Sequence, residues 1–113
     1  MEVTEVNTGT RINQLWQRAE QYIDFSIADS TRKHYDMGLN KYITFCQEEN
    51  LRPFPLHEGN VIIFVTSLAN VSSYSAISVY LAGIKFVAKR HGLNSDFSKF
   101  NRLYLVVRGI KRA

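Results

Sequence analysis

One cysteine, Cys46, stands in the 113 residues. It excludes an internal disulfide, and four-ligand zinc sites of the usual Cys/His spacing cannot be assembled around it. A reducing compartment is therefore expected, nuclear if the source is eukaryotic and otherwise cytoplasmic. Long apolar runs are missing as well: Val61-Ile-Ile-Phe-Val65 is among the longest, against the roughly 20 residues needed to span a bilayer. The acidic N-terminus lacks the basic start of a signal peptide, so no membrane or secretory route is expected. With only 2 Pro and 6 Gly against 45% apolar residues, the composition is that of one soluble globular domain with a core of its own.

Catalytic signatures are also lacking. There is no GxxxxGK[ST], GxGxxG or GxSxG, and His34, His57 and His91 are scattered without a metal-binding spacing. His34 and Tyr35 are adjacent, but neighbours on a helix point about 100° apart and cannot work as an acid/base pair. Ser73 and Ser75 have no base placed in sequence to activate them, and helix capping explains serine there more simply. No cofactor, metal or hydrolytic activity is expected of this chain.

What is present is an uneven charge. The first 29 residues hold Glu2, Glu5, Glu20, Asp24 and Asp29 against Arg11 and Arg18. The last 18 reverse this, with Lys99, Arg102, Arg108, Lys111 and Arg112 against Asp96 alone. The net charge of +4 is thus concentrated towards the C-terminus, an asymmetry that points to a polyanionic partner.

Hydrophobic spacing reads as helix throughout. Residues 1–11 show no periodicity and are expected to form a flexible arm before a helical domain over 12–113. Leu15, Trp16, Ala19, Tyr22, Ile23 and Ile27 recur at helical spacing and predict a first helix over about 12–27. Asp29 and Ser30 offer cap oxygens for a second helix running to about Glu49, where Pro53-Phe-Pro55 cannot continue it. A third, about 58–70, is apolar almost all round and is expected to be the most buried. The serine-rich turn Val71–Ser75 opens a fourth, about 74–91, closed by Gly92, and a fifth begins near Asp96. The fold class is all-α, a compact four- to five-helix bundle.

Two helix faces stand out. On the fourth helix, Ser75, Ser78, Ala82, Lys85 and Lys89 share a sector of about 80° opposite the apolar stripe. Small residues permit close approach to a bulky partner, while hydroxyls and lysines bind phosphate oxygens or base edges. The second helix repeats this with Lys33, Asn40, Lys41 and Thr44, with His34 and Met37 nearby. Arg32 and Lys33 sit in its first turn, where the dipole disfavours cations unless an anion such as phosphate offsets them. Ser and Lys are equally at home on a solvated face, and the pattern alone leaves both readings open. The aromatics fall mostly at apolar-face positions and are assigned to the core. Val79, Phe86, Leu105 and Val106 lie off the stripes, as contacts to another domain or protomer would.

Taken in order, STRKHYDMGLNKYITFC, FPLHEGNVIIFVTSLA, SSYSAISVYLAGIKFVAKRHG and LVVRGIKRA resemble the SAM-like N-terminal core-binding domain of the tyrosine recombinase (phage integrase) family, of the eukaryotic mobile-element type. The likeness spans about residues 28–112. It implies a helical bundle that covers one face of double-stranded DNA while a C-terminal catalytic domain closes from the other side. Carried over by position, it implies DNA contacts from Thr31, Arg32, Lys33, Ser73, Ser75, Ser78 and Lys85, to which the face pattern adds Lys41 and Lys89. It also implies roles in DNA recombination and integration, with self-association on DNA. The family's tyrosine nucleophile and its arginine, lysine and histidine support lie in the catalytic domain, and this sequence stops at Ala113. Strand cleavage is therefore not expected of this chain alone. The competing expectation is a helical protein-protein interaction module derived from a recombinase.

Overall fold

The structure, a computed structural model, describes residues 2–94 and 96–113, with side chains described from Gly9 onward. Five α-helices, and no strand among the described residues, follow one another: α1 (Glu2–Phe25), α2 (Asp29–Glu48), α3 (Glu58–Leu68), α4 (Tyr74–Arg90) and α5 (Asn101–Arg112). A 3-10 turn at Phe97–Lys99 precedes α5, so the fifth helix begins later than the Asp96 expected. The Asp96 carboxylate instead caps that turn, accepting from the Ser98 amide at 2.9 Å.

Local chemistry sets three helix ends. Ser73 caps α4, its Oγ accepting from the Ala76 amide at 3.1 Å. Gly92, at φ 72°, ends α4 in a Schellman arrangement, with the Leu93 and Gly92 amides donating back to the Ala88 and Lys89 carbonyls at 2.8 and 3.1 Å. Asn50, at φ 56°, does the same for α2, and Leu51 donates to the Cys46 carbonyl at 2.7 Å.

Three expectations are corrected. The cap of α2 is Ala28, with no side-chain cap bond, and Asp29 is already inside the first turn. Residues 2–11, read as a flexible arm, continue α1 as regular helix; Met1 lies outside the described residues. An existing helix propagates at one hydrogen bond per residue fixed, and no proline interrupts this stretch. Finally, α3 is not the most buried helix. It buries Val61, Phe64 and Val65 and leaves Ile63 exposed, whereas α4 buries Ile77, Tyr80, Gly83, Ile84 and Ala88. An apolar pattern all round a helix gives it no preferred side, so the tightest neighbour decides.

That neighbour relationship joins α2 and α4. A Cβ on Gly38 would lie 2.5 Å from the Tyr80 Cα, and one on Gly83 would lie 2.7 Å from the Cα and carbonyl oxygen of Tyr35. As position 35 rises to 38, its partner falls from 83 to 80, so the helices run antiparallel with backbones in contact. Tyr42, Cys46, Val61, Phe64, Val65, Ile77, Ile84 and Leu103 form the core beside them. Tyr42 stacks edge-on to Phe54 and Phe64 and donates its hydroxyl to the Pro53 carbonyl at 2.7 Å. α5 docks on α3 and is capped from there, because the Glu58 Oε2 accepts from the Arg102 and Leu103 amides at 2.9 and 3.1 Å.

α1 stands apart from this bundle and accounts for its long axis of 62 Å against 29 and 26 Å across. Arg90 at the end of α4 grips it, reaching Glu20 at 2.5 Å and Asp24 at 2.8 Å. Above that grip Ile12, Leu15 and Trp16 are exposed. No helix among the described residues is long and apolar enough to cross a membrane.

Candidate nucleic-acid interface

Two grooves border α2, one against α4 and one towards α3. The first, about 480 Å³, lies between the start of α2 and the middle of α4; Thr31 and His34 line it from one side, Ser78, Val79 and Ala82 from the other. The second, about 750 Å³, runs along α2 towards α3, with Lys33, Met37, Asn40, Lys41 and Thr44 at its wall and Phe45, Phe64 and Leu68 at its floor. Asp36 and Glu48 also border it. Tyr80 of α4 reaches two residues of the second groove: its hydroxyl donates to the Met37 Sδ at 3.6 Å, and the Lys41 Nζ lies 6.0 Å from its ring centroid.

The nine residues singled out from sequence have different fates. Thr31 and Ser78 meet in the first groove, and Lys33 and Lys41 line the second. Ser75 and Lys89 are exposed on α4. The Ser73 hydroxyl is engaged as the cap of that helix. Lys85 leans away towards the 3-10 turn, its Nζ 5.9 Å from the centre of the Phe97 ring. There Asp96 is held below the usual carboxylate range chiefly by hydrogen bonds from Ser98, with smaller help from Lys99 and Lys85.

Arg32 finds its anion within the chain. Its guanidinium Nη2 donates to the Asp24 carbonyl at the end of α1, where a cation complements the free carbonyls of a helix C-terminus. Lys33, one residue on, is exposed and points to the groove side. The salt bridges among the described residues are those of Arg90, so neither Lys33 nor Lys41 is neutralised by a carboxylate at contact distance.

His34 is oriented, as the rejected acid/base pair with Tyr35 could not be. Its Nδ1 lies 2.8 Å from the Ser30 carbonyl oxygen, a group that can only accept. The proton must therefore sit on Nδ1, which leaves Nε2 as the free acceptor of the neutral ring. Tyr35 turns inward, with its ring 5.7 Å from that of Phe86.

Several side chains expected elsewhere are relocated by the packing. Phe86 packs on Tyr35, Val79 lines the first groove and Val106 packs against the core. Leu105 alone of the four off-stripe residues is largely exposed. Conversely Trp16, Tyr22 and Tyr104, placed in the core by their spacing, are exposed. Sequence reasoning missed Gly38 and Gly83, whose position in mid-helix without a turn to make was the available signal. It also missed Glu58 and Arg90, whose partners are too distant in sequence for any local pattern to reveal.

Among the described residues no group of three His, Cys, Asp or Glu is placed to hold a metal ion. The two grooves offer instead hydroxyls, a ring nitrogen, methyl groups and two lysines without a carboxylate partner, groups of the kind that contact phosphates and base edges. No protein-family model matches this chain, and no curated protein matches it in sequence.

Proposed function

We propose that α2 and α4 form a double-stranded DNA-binding surface, and that the chain acts as the N-terminal clamp half of a tyrosine recombinase without cleaving DNA itself. One observation carries this reading. Gly38 and Gly83 bring the backbones of α2 and α4 together, so that Thr31 and Ser78 share one groove, while Lys33 and Lys41 line a second groove along the same α2. Lys33 and Lys41 would take phosphates, while Thr31, Ser75 and Ser78 would position the helices against the groove of the duplex. In this reading a C-terminal catalytic domain, in a longer chain or a homologue, closes on the opposite side of the DNA, and recombination or integration is the process served.

The test is a titration of duplex DNA at rising salt. Binding should weaken linearly on a log-log plot, by a slope of roughly −0.9 for each phosphate neutralised. Duplex affinity that is absent, or indifferent to salt, would sink the proposal.

A second reading, a protein-protein interaction module derived from a recombinase, is favoured by one observation: the uncovered Ile12, Leu15 and Trp16 face of α1. Sedimentation of the chain without DNA separates the two. Concentration-dependent association that Trp16→Ser abolishes, together with salt-independent behaviour towards DNA, would favour this alternative.

A further inference from the structure

We infer that the groove between α2 and α4 is a base-reading site for an A·T pair, in which the Nε2 of His34 accepts from the adenine amino group. The inference rests on the DNA-binding reading above and adds to it which base edge is read and by which atom.

The argument starts from the Ser30 carbonyl, 2.8 Å from the His34 Nδ1. Because that oxygen only accepts, the neutral imidazole must carry its proton on Nδ1, and in that form Nε2 has a lone pair. Among the described residues nothing is hydrogen-bonded to Nε2, and the ring is exposed at the groove edge. The groove thus presents a fixed acceptor, where Lys and Arg would present only donors.

Across the groove, Ser78 supplies a hydroxyl that can donate, and Val79 and Ala82 supply methyl groups. In the major groove an acceptor selects the amino group of adenine or cytosine. The hydroxyl is matched by an acceptor in either pair, since A·T offers thymine O4 and C·G offers guanine O6. Only the A·T pair adds a methyl group, on thymine, for the apolar wall to touch. The combination of acceptor, donor and methyl surface therefore favours A·T over C·G. The width of the groove is held by the backbone contacts at Gly38 and Gly83, so the acceptor and the methyl wall keep their spacing.

The experiment selects bound sequences from a random duplex pool with the wild-type chain and with His34→Leu, then measures affinity for the best site with single-atom changes. Purine in place of the adenine removes the amino group and should cost the wild type about tenfold, the effect of one unpaired acceptor. The same change should cost His34→Leu almost nothing. Uracil in place of thymine removes the methyl group and should cost both chains about fourfold. Salt slopes should be equal for the two proteins. If the wild type binds duplex with a salt slope but selects no A·T pair, or purine weakens both chains equally, His34 is not the reader and the DNA-binding reading survives. If the wild type binds no duplex, that reading falls and takes this inference with it.

Discussion

The backbone of Tyr35 passes so close to Gly83 that a Cβ added there would lie 2.7 Å from the Tyr35 carbonyl oxygen. The obstacle is main chain, which cannot rotate aside as a side chain would. Gly83→Ala should therefore push α4 off α2 and destabilise the fold by about 1–3 kcal/mol. Gly109 is the control: it is also helical, with open space around it, and alanine there should stabilise by about 0.5–1 kcal/mol. Urea midpoints that move in the same direction for both would contradict the contact.

Glu58 should matter to a helix more than forty residues away. Its carboxylate is the cap that α5 lacks locally, since Phe100 offers no side-chain acceptor. Glu58→Ala should cost about 1–2 kcal/mol, the usual loss for a removed cap. Amide exchange at Arg102 and Leu103 should accelerate, while the α4 amides stay protected. Uniform acceleration across the chain would show that the carboxylate supports something other than α5.

Alkaline pH should weaken the fold through Tyr42. Burial, with smaller contributions from Cys46, pushes the Tyr42 hydroxyl well above its ordinary value of 10.0. An acid raised in the folded state stays protonated while the unfolded chain ionises. Its stabilising contribution is complete below pH 10 and is lost as the pH climbs towards the folded value. The loss approaches about 1.4 kcal/mol per pH unit for one proton. Tyr42→Phe should cost about 1 kcal/mol near neutrality, by stranding the Pro53 carbonyl, yet flatten the alkaline limb. Parallel pH curves for the two proteins would count against this origin.

The lysines should separate by position. Lys33→Ala and Lys41→Ala should each lower the salt slope of duplex binding by about one unit if each meets a phosphate. Arg32→Ala should change it less, because the Asp24 carbonyl already holds that guanidinium. Lys85, drawn over Phe97, should fall between. Equal slopes for all four variants would mean that the grooves do not face the polyanion.

Much of the helix plan is legible in the sequence, because caps and stops are local. Ser73 and Gly92 act within a few residues of where they stand. The two polar faces are legible too, since helical periodicity gathers Ser75 with Ser78 and Lys33 with Lys41. That Ser78 shares a groove with Thr31 is not: it depends on Gly38 meeting Tyr80 across more than forty residues, and periodicity says which side of a helix is apolar, never what covers it. Trp16 shows the same limit, being spaced for a core and left in the open. Arg32 shows a subtler one, because a cation misplaced on its own helix is well placed at the end of the previous one.

The chain's single tryptophan stands on the projecting part of α1, nearly two-thirds exposed and beyond the Arg90 grip. Its emission is consequently blind to the bundle, and melting of the core followed by fluorescence would look almost silent while circular dichroism collapsed. The same isolation makes Trp16 a clean optical sensor: a blue shift or quench on adding any ligand would report that α1 itself has been covered.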